Sequence, residues 1–343
     1  MKNITYIIFI CFLGLTSCKS EEIKTNTVDF NFTYLTPNSV KFDAVVTGYY
    51  DVIEWVINEK STSYTTSITQ NFPLKGTYDI TLKLWIGNTP NIINKKITID
   101  QDENITPSWI EEFNESTLNK AFWTVETDIH VNNELQQYTA SGNYELKNGV
   151  LTIICKKVNS AGIYGSYTSA RLKTESKKLF KYGRLEARLK LPKGKGTWPA
   201  FWLLGERIGQ GTNWPKCGEI DIMEYVGVDP LWVQASLHSQ SQFGGNSRNG
   251  RLQFASNNDE AQWHIYGMNW TTSKLEFYVD DASKPYYTCN APSVKTADNW
   301  PFDANYFLIL NLAFGGDWGG YNGVDASIDT MKFEVDWVKY YAL

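Results

Sequence analysis

Residues 182–191 read YGRLEARLKL and alternate without a break. Leu185, Ala187, Leu189 and Leu191 fall on one side, and Arg184, Glu186, Arg188 and Lys190 on the other. A strict period of two marks a strand with one face in a core and the other in water. Residues 332–341, KFEVDWVKYY, alternate in the same way. Residues 305–314, NYFLILNLAF, are almost continuously apolar, as in a strand covered on both faces. No convincing amphipathic helix of ordinary length accompanies them. The chain is therefore expected to be all-β, with residues 108–343 folded as a large antiparallel jelly-roll sandwich.

A shorter pattern precedes it. Val40 to Val46, Val52 to Ile57, Tyr78 to Trp85 and Ile92 to Ile99 are strand-like runs separated by turn residues. They predict a small immunoglobulin-like β-sandwich over residues 23–101, with QDENITP (residues 101–107) as linker. FPLKGTYDITLKLW (residues 72–85) resembles the late strands of PKD-like domains. IEWVIN (residues 53–58) stands where that family has its Trp-bearing strand. The family's glycine-and-aspartate turn after that strand is missing. The resemblance implies a spacer or accessory module.

The N-terminus reads as an address. Met1-Lys2-Asn3 precedes the apolar run Ile4 to Leu15, too short to span a bilayer as a mature helix, so residues 1–17 are expected to be a signal peptide. Leu15-Thr16-Ser17-Cys18 resembles a bacterial lipobox, which implies lipidation of Cys18 and a membrane anchor. Lys19-Ser20-Glu21-Glu22 is similar to the surface-export signals of Bacteroidetes-type lipoproteins. The implied location is the outer membrane, facing the cell surface or the periplasm. Beyond Cys18 stand Cys155, Cys217 and Cys289, an odd number without metal-ligand spacing, so they are expected to be buried thiols.

Aromatic residues make up 15% of the chain, with 13 Trp and 20 Tyr. Such side chains offer large flat faces with polar tips. Sugar rings stack on those faces, so a carbohydrate-binding groove and an aromatic-rich core are both open readings. A net charge of −5 argues against a nucleic-acid partner.

Residues 217–227, CGEIDIMEYVG, carry Glu219, Asp221 and Glu224 within six positions. In a regular strand Glu224 would share the face of Ile220 and Ile222, and Met223 would lie among the acids. A β-bulge at Ile222-Met223 shifts the alternation by one and returns all three acids to one face. Glu219 and Glu224 would then behave as positions four apart, with Cα atoms roughly 13 Å apart. Two glutamates reaching toward each other close that to about 5–6 Å, the range of a retaining glycosidase pair. A solvated acidic face would leave three like charges close together with no basic residue between them. Clustered acids also bind hard cations, but the EF-hand spacing and its glycine are absent.

GEIDIMEYVG resembles the E-x-D-x-x-E signature of glycoside hydrolase family 16, in the six-residue form of its laminarinase, agarase and carrageenase branch. The resemblance covers nearly all of residues 108–343. It implies Glu219 as nucleophile, Asp221 as its helper and Glu224 as general acid/base, with no cofactor for catalysis. NNELQQYT (residues 132–139) is similar to a laminarinase segment whose Asn, here Asn133, binds sugar. SARLKT (residues 169–174) matches a substrate-contacting Arg at Arg171. GTWPAFWLLG (residues 196–205) implies an aromatic wall of Trp198 and Trp202. SLHSQS (residues 236–241) places His238 beside the acid/base, and NLAFGGDWGG (residues 311–320) offers Trp318 as a rim. His130 and His264 receive no role. The family also implies a structural calcium held near Glu112 and Gly149 through the backbone and by the side chain of Asp336.

The expected activity is a monomeric, retaining endo-β-glucanase acting on β-1,3 or mixed-linkage β-1,3-1,4 glucan. The polar loop SQSQFGGNSRNG (residues 239–250) stands where many laminarinases have an aromatic. It keeps a modified marine polysaccharide open as substrate, and two alternatives stand beside the main reading: an endo-hydrolase of another polysaccharide such as a marine galactan, and a non-catalytic glycan-binding protein on the same fold.

Overall fold

The computed structural model describes residues 26–104 and 106–342. The apolar run 4–15 and Cys18 lie outside the described residues. Strands are the dominant regular element of the described chain, and its one α-helix is the four-residue turn Gly316–Gly319.

Two sheets pack face to face in the C-terminal part. The larger has ten strands, and at its centre Thr330–Tyr341 lies between Val150–Lys157 and Gly183–Lys190. The smaller has eight, and at its centre Thr197–Gly205 lies between Glu219–Tyr225 and Tyr306–Phe314. Pairing is antiparallel apart from Gln136–Tyr138 beside Tyr167–Ser169. Leu185, Ala187, Leu189 and Leu191 all enter the core, as their alternation requires. All nine residues of Tyr306–Phe314 are buried, because that strand is covered on both faces.

One alternating run departs from expectation. In Thr330–Tyr341 the buried positions are Met331, Phe333 and Val335, then Val338 and Tyr340. The register against Gly183–Lys190 steps from Trp337 to Val335, leaving Asp336 as the extra residue of a bulge. The period of two in KFEVDWVKYY is therefore broken at Asp336–Trp337.

The N-terminal strands form a three-stranded and a four-stranded sheet around their own core, which includes Phe30, Phe42, Trp55, Ile80 and Leu82. Thr27–Thr36, Lys60–Ser63 and Ser67–Asn71 join the strands expected from the sequence. They escape a reading by apolar periodicity because most of their residues face water. Ion pairs join this part to the larger sheet: Arg184 reaches Asp102 at 2.7 Å, and Lys274 reaches Asp79 at 3.0 Å.

Candidate active site

The strand Glu219–Tyr225 carries a bulge at the expected place. Against Trp232–His238, Asp221 faces Ser236 and Glu224 faces Gln234, so Ile222 and Met223 together oppose Ala235. Against Thr197–Gly205 the register slips by one residue at the same point. Ile220, Ile222 and Met223 turn into the core, each no more than 1% exposed. Glu219, Asp221 and Glu224 all line one cleft of about 810 Å³. A buried apolar anchor on each side of the slip makes the bulge the low-energy register, since the regular alternative would bury Glu224 and expose Met223.

The cleft is aromatic and polar by turns. Trp198 donates its indole N–H to Glu224 Oε1 at 3.1 Å, and Ser236 donates to Glu224 Oε2 at 3.4 Å. Trp198 also meets Trp318 edge to face, with ring centroids 5.5 Å apart. Arg171 lies over the Trp202 ring at 4.8 Å and is held from behind by Glu126 at 2.5 Å. His238 accepts the Gly244 backbone N–H on Nδ1 at 3.1 Å. That assigns its proton to Nε2, which lies 3.1 Å from Asp221 Oδ2 and 3.6 Å from Glu219 Oε1. Asp221 Oδ2 is nevertheless not aligned for a hydrogen bond with any partner.

Crowding three carboxylates in a dry site makes protons hard to remove. Burial, then the charge of Asp221, pushes Glu219 up to about 8, while His238 and Arg171 pull it back. Burial and Asp221 likewise push Glu224 up to about 8, against His238, Trp198 and Ser236. Asp221 is raised well above the ordinary range by burial alone. The three behave as one coupled system that retains protons near neutral pH.

Trp198, Trp202, Arg171, His238 and Trp318 all line the cleft with the acids. Asn133 does not. Its amide is exposed and donates at 2.8 Å to Asp317, which does line the cleft, while its neighbour Asn132 lines the wall directly. His264 is buried between Asp280 and the Asp259 carbonyl, away from the cleft. His130 contacts the Glu134 carbonyl at 3.1 Å and stacks on Tyr164.

Other lining residues were not singled out from the sequence. Gln234 and Ser236 share the strand face of His238, so alternation in WVQASLH pointed to them. Asn311 is the one polar residue inside the apolar run of its strand. Trp214 is 43% exposed and flanks His238, with centroids 5.9 Å apart. Glu134, within NNELQQYT, lines the cleft as well.

Among the described residues, Glu219, Asp221 and His238 hold ligand-type atoms within 4.8 Å of one another, but they belong to the cleft itself. At the expected calcium position, a Cβ on Gly149 would stand 3.0 Å from Asn114 Oδ1 and 3.8 Å from the Glu112 carbonyl oxygen. These oxygens suit a hard cation. Asp336 gives one carboxylate oxygen to Arg188 at 2.6 Å and keeps the other.

Comparison with known proteins gives a consistent match. The profile of Glycosyl hydrolases family 16 spans residues 126–339. The chain is similar to the crystal structure of a laminarinase from Flavobacterium sp. UMI-01, at 40% identity and a TM-score of 0.63, covering 69% of this chain and 100% of that one. It is similar to the laminarinase structure from Rhodothermus marinus at 36% identity and a TM-score of 0.63, covering 69% and 96%. It is 37% identical over 247 residues to a β-glucanase of Rhodothermus marinus, covering 68% of this chain and 84% of that protein. The chain belongs to glycosyl hydrolase family 16.

Proposed function

We propose that the protein is a retaining endo-β-glucanase that cleaves internal β-1,3 or mixed-linkage β-1,3-1,4 glucosidic bonds. The observation that carries this reading is the bulge at Ile222-Met223, which turns Glu219, Asp221 and Glu224 into one aromatic-lined cleft. The glucanases and laminarinases among its relatives support the substrate class.

In this mechanism Glu219 attacks the anomeric carbon while Glu224 protonates the departing glycosidic oxygen. The glycosyl–Glu219 ester is then hydrolysed by a water that Glu224 deprotonates, so two inversions give net retention. Glu219 and Glu224 are both raised to about 8, which suits Glu224 as an acid still protonated near neutral pH, whereas Glu219 must attack in its ionised form, the form that the charges of His238 and Arg171 favour. Asp221, buried beside both, keeps a proton available to hydrogen-bond Glu219 and limits the charge in the site. Trp202 and Trp198 present faces for sugar rings, and Arg171 braces Trp202 from above.

Three further readings belong to the same proposal. Cys18 carries a lipid that anchors the enzyme to the outer membrane, and residues 23–101 act as a PKD-like spacer. A calcium ion held by oxygens near Glu112, Gly149 and Asp336 would stabilise the sandwich without entering the reaction. The enzyme acts as a monomer.

The test is to incubate wild type, Glu219→Gln and Glu224→Gln with laminarin, barley β-glucan and a galactan panel, and to size the products. Wild type should release a ladder of glucan oligosaccharides, and both variants almost none. Cleavage of a galactan alone would overturn the substrate class. Binding without any product would overturn catalysis.

A further inference from the structure

Glu134 is a further carboxylate of the cleft lining, only 5% exposed and separate from the three-acid strand. A run of hydrogen bonds, all pointing the same way, ends on it. The Trp202 indole N–H donates to Asn311 Oδ1 at 2.7 Å. The Asn311 amide donates to the Tyr138 oxygen at 3.1 Å. Tyr138, its oxygen thus occupied as acceptor, turns its O–H toward Glu134 Oε2, the long link at 3.5 Å. Gln136 donates to the same oxygen at 2.6 Å and gives its own carbonyl to the Phe314 N–H at 2.7 Å. Burial and the neighbouring Glu134 hold the Tyr138 phenol well above its ordinary range, so it remains a donor.

The other carboxylate oxygen serves the opposite wall. Asn132 donates to Glu134 Oε1 at 3.2 Å, and the Asn132 carbonyl accepts the Asp317 N–H at 2.8 Å. Glu134 also pairs with Gly315 through a backbone bridge. Trp318 follows directly on this loop and meets Trp198 edge to face.

Burial raises the Glu134 carboxyl, while Gln136, Asn132 and the charge of Arg171 pull it back, and in its ionised form it only accepts, so it orients every donor in such a chain. We infer that Glu134 is a positioning residue that fixes the Trp202 ring through Tyr138 and Asn311, and the Trp318 loop through Asn132. It thereby sets the spacing of the two aromatic walls that grip the sugar. Neither the acid motif nor Glu134's own reach toward the reacting bond enters this role. As to sugar binding, the inference rests on the glucanase reading; as to ring orientation, it does not.

The test uses Glu134→Gln, which keeps the shape but sets an NH2 group against the donors of Gln136, Asn132 or Tyr138, and Tyr138→Phe, which cuts the chain at its middle. In ligand-free protein, the near-ultraviolet circular dichroism difference between wild type and either variant should share the bands of the wild type minus Trp202→Phe difference. On laminarin, KM should rise about tenfold in Glu134→Gln with kcat within about twofold of wild type. The double variant should be little worse than Glu134→Gln, because both cut one chain. Unchanged Trp202 bands in well-folded variants would overturn the positioning role whatever the substrate is. Normal Trp202 bands with a collapsed kcat would overturn it in favour of a direct chemical role. A wild type inactive on every glucan would overturn the glucanase reading and leave the spectroscopic test standing.

Discussion

The indole N–H of Trp198 donates to Oε1 of Glu224 at 3.1 Å, so an aromatic wall of the cleft also tunes one of its acids. A hydrogen bond to a carboxylate favours the charged form. Trp198→Phe removes the donor and keeps much of the apolar face. Glu224 should then hold its proton to higher pH, and the alkaline limb of the kcat/KM profile on laminarin should move upward. A limb that moves down or stays fixed would refute this link.

The two glutamates should be separable by chemistry. Glu219→Ala and Glu224→Ala should each lose at least about a thousandfold in kcat on laminarin, as a missing nucleophile or acid requires. With an aryl β-glucan oligosaccharide whose leaving group needs no acid, added azide should rescue both. Nuclear magnetic resonance of the products should show an α-glycosyl azide from the Glu219 variant and a β-glycosyl azide from the Glu224 variant. The same anomer from both would reject the role assignment.

Stability should depend on pH through these acids. Glu219 and Glu224 are raised from the ordinary 4.5 to about 8 in the fold. The folded state therefore binds more protons than the unfolded state between those values. Their contribution to stability is fully present below about 4.5 and is lost as pH rises through about 8. Glu219→Gln and Glu224→Gln remove a titrating charge, so each should lose less Tm between pH 4 and pH 8 than wild type does. Parallel loss in all three proteins, followed by calorimetry, would contradict the buried-charge account.

Met223 should behave as a core residue although it sits between catalytic-type acids. It is fully buried beside Ile222. Met223→Ala should cost about 2–5 kcal/mol in chemical denaturation. A change under about 0.5 kcal/mol, the usual range for surface substitutions, would mean that the side chain is not in the core.

Chelation tests the oxygen cluster at Gly149. With calcium bound there, excess chelator should lower Tm by several degrees while kcat at 25 °C stays within twofold. Asp336→Asn should reduce the calcium-dependent part of that shift. A chelator-insensitive Tm would remove the ion from the proposal.

The period of two in YGRLEARLKL, the doubly covered run before Phe314 and the extra residue between Asp221 and Glu224 were enough to specify a β-sandwich with three acids on one surface. Alternation is a local property: each side chain's face follows from its neighbour's, so sequence alone fixes it. The same logic passed over the break at Asp336–Trp337, although Val338 and Tyr340 stand out of phase with Phe333 and Val335 in KFEVDWVKYY. The register of Gly183–Lys190 shows that Asp336 is the extra residue. The laminarinase resemblance of NNELQQYT pointed to Asn133 for sugar binding, whereas the Asn133 amide turns to Asp317, 184 residues away, and its neighbour Asn132 lines the cleft. The chain from Trp202 through Asn311 and Tyr138 to Glu134 spans distant segments as well. Which donor meets which acceptor across two sheets, and how far burial raises each acid, depends on tertiary packing. Desolvation and long-range hydrogen bonds are set by what surrounds a residue in space, and that is what only the folded structure decides.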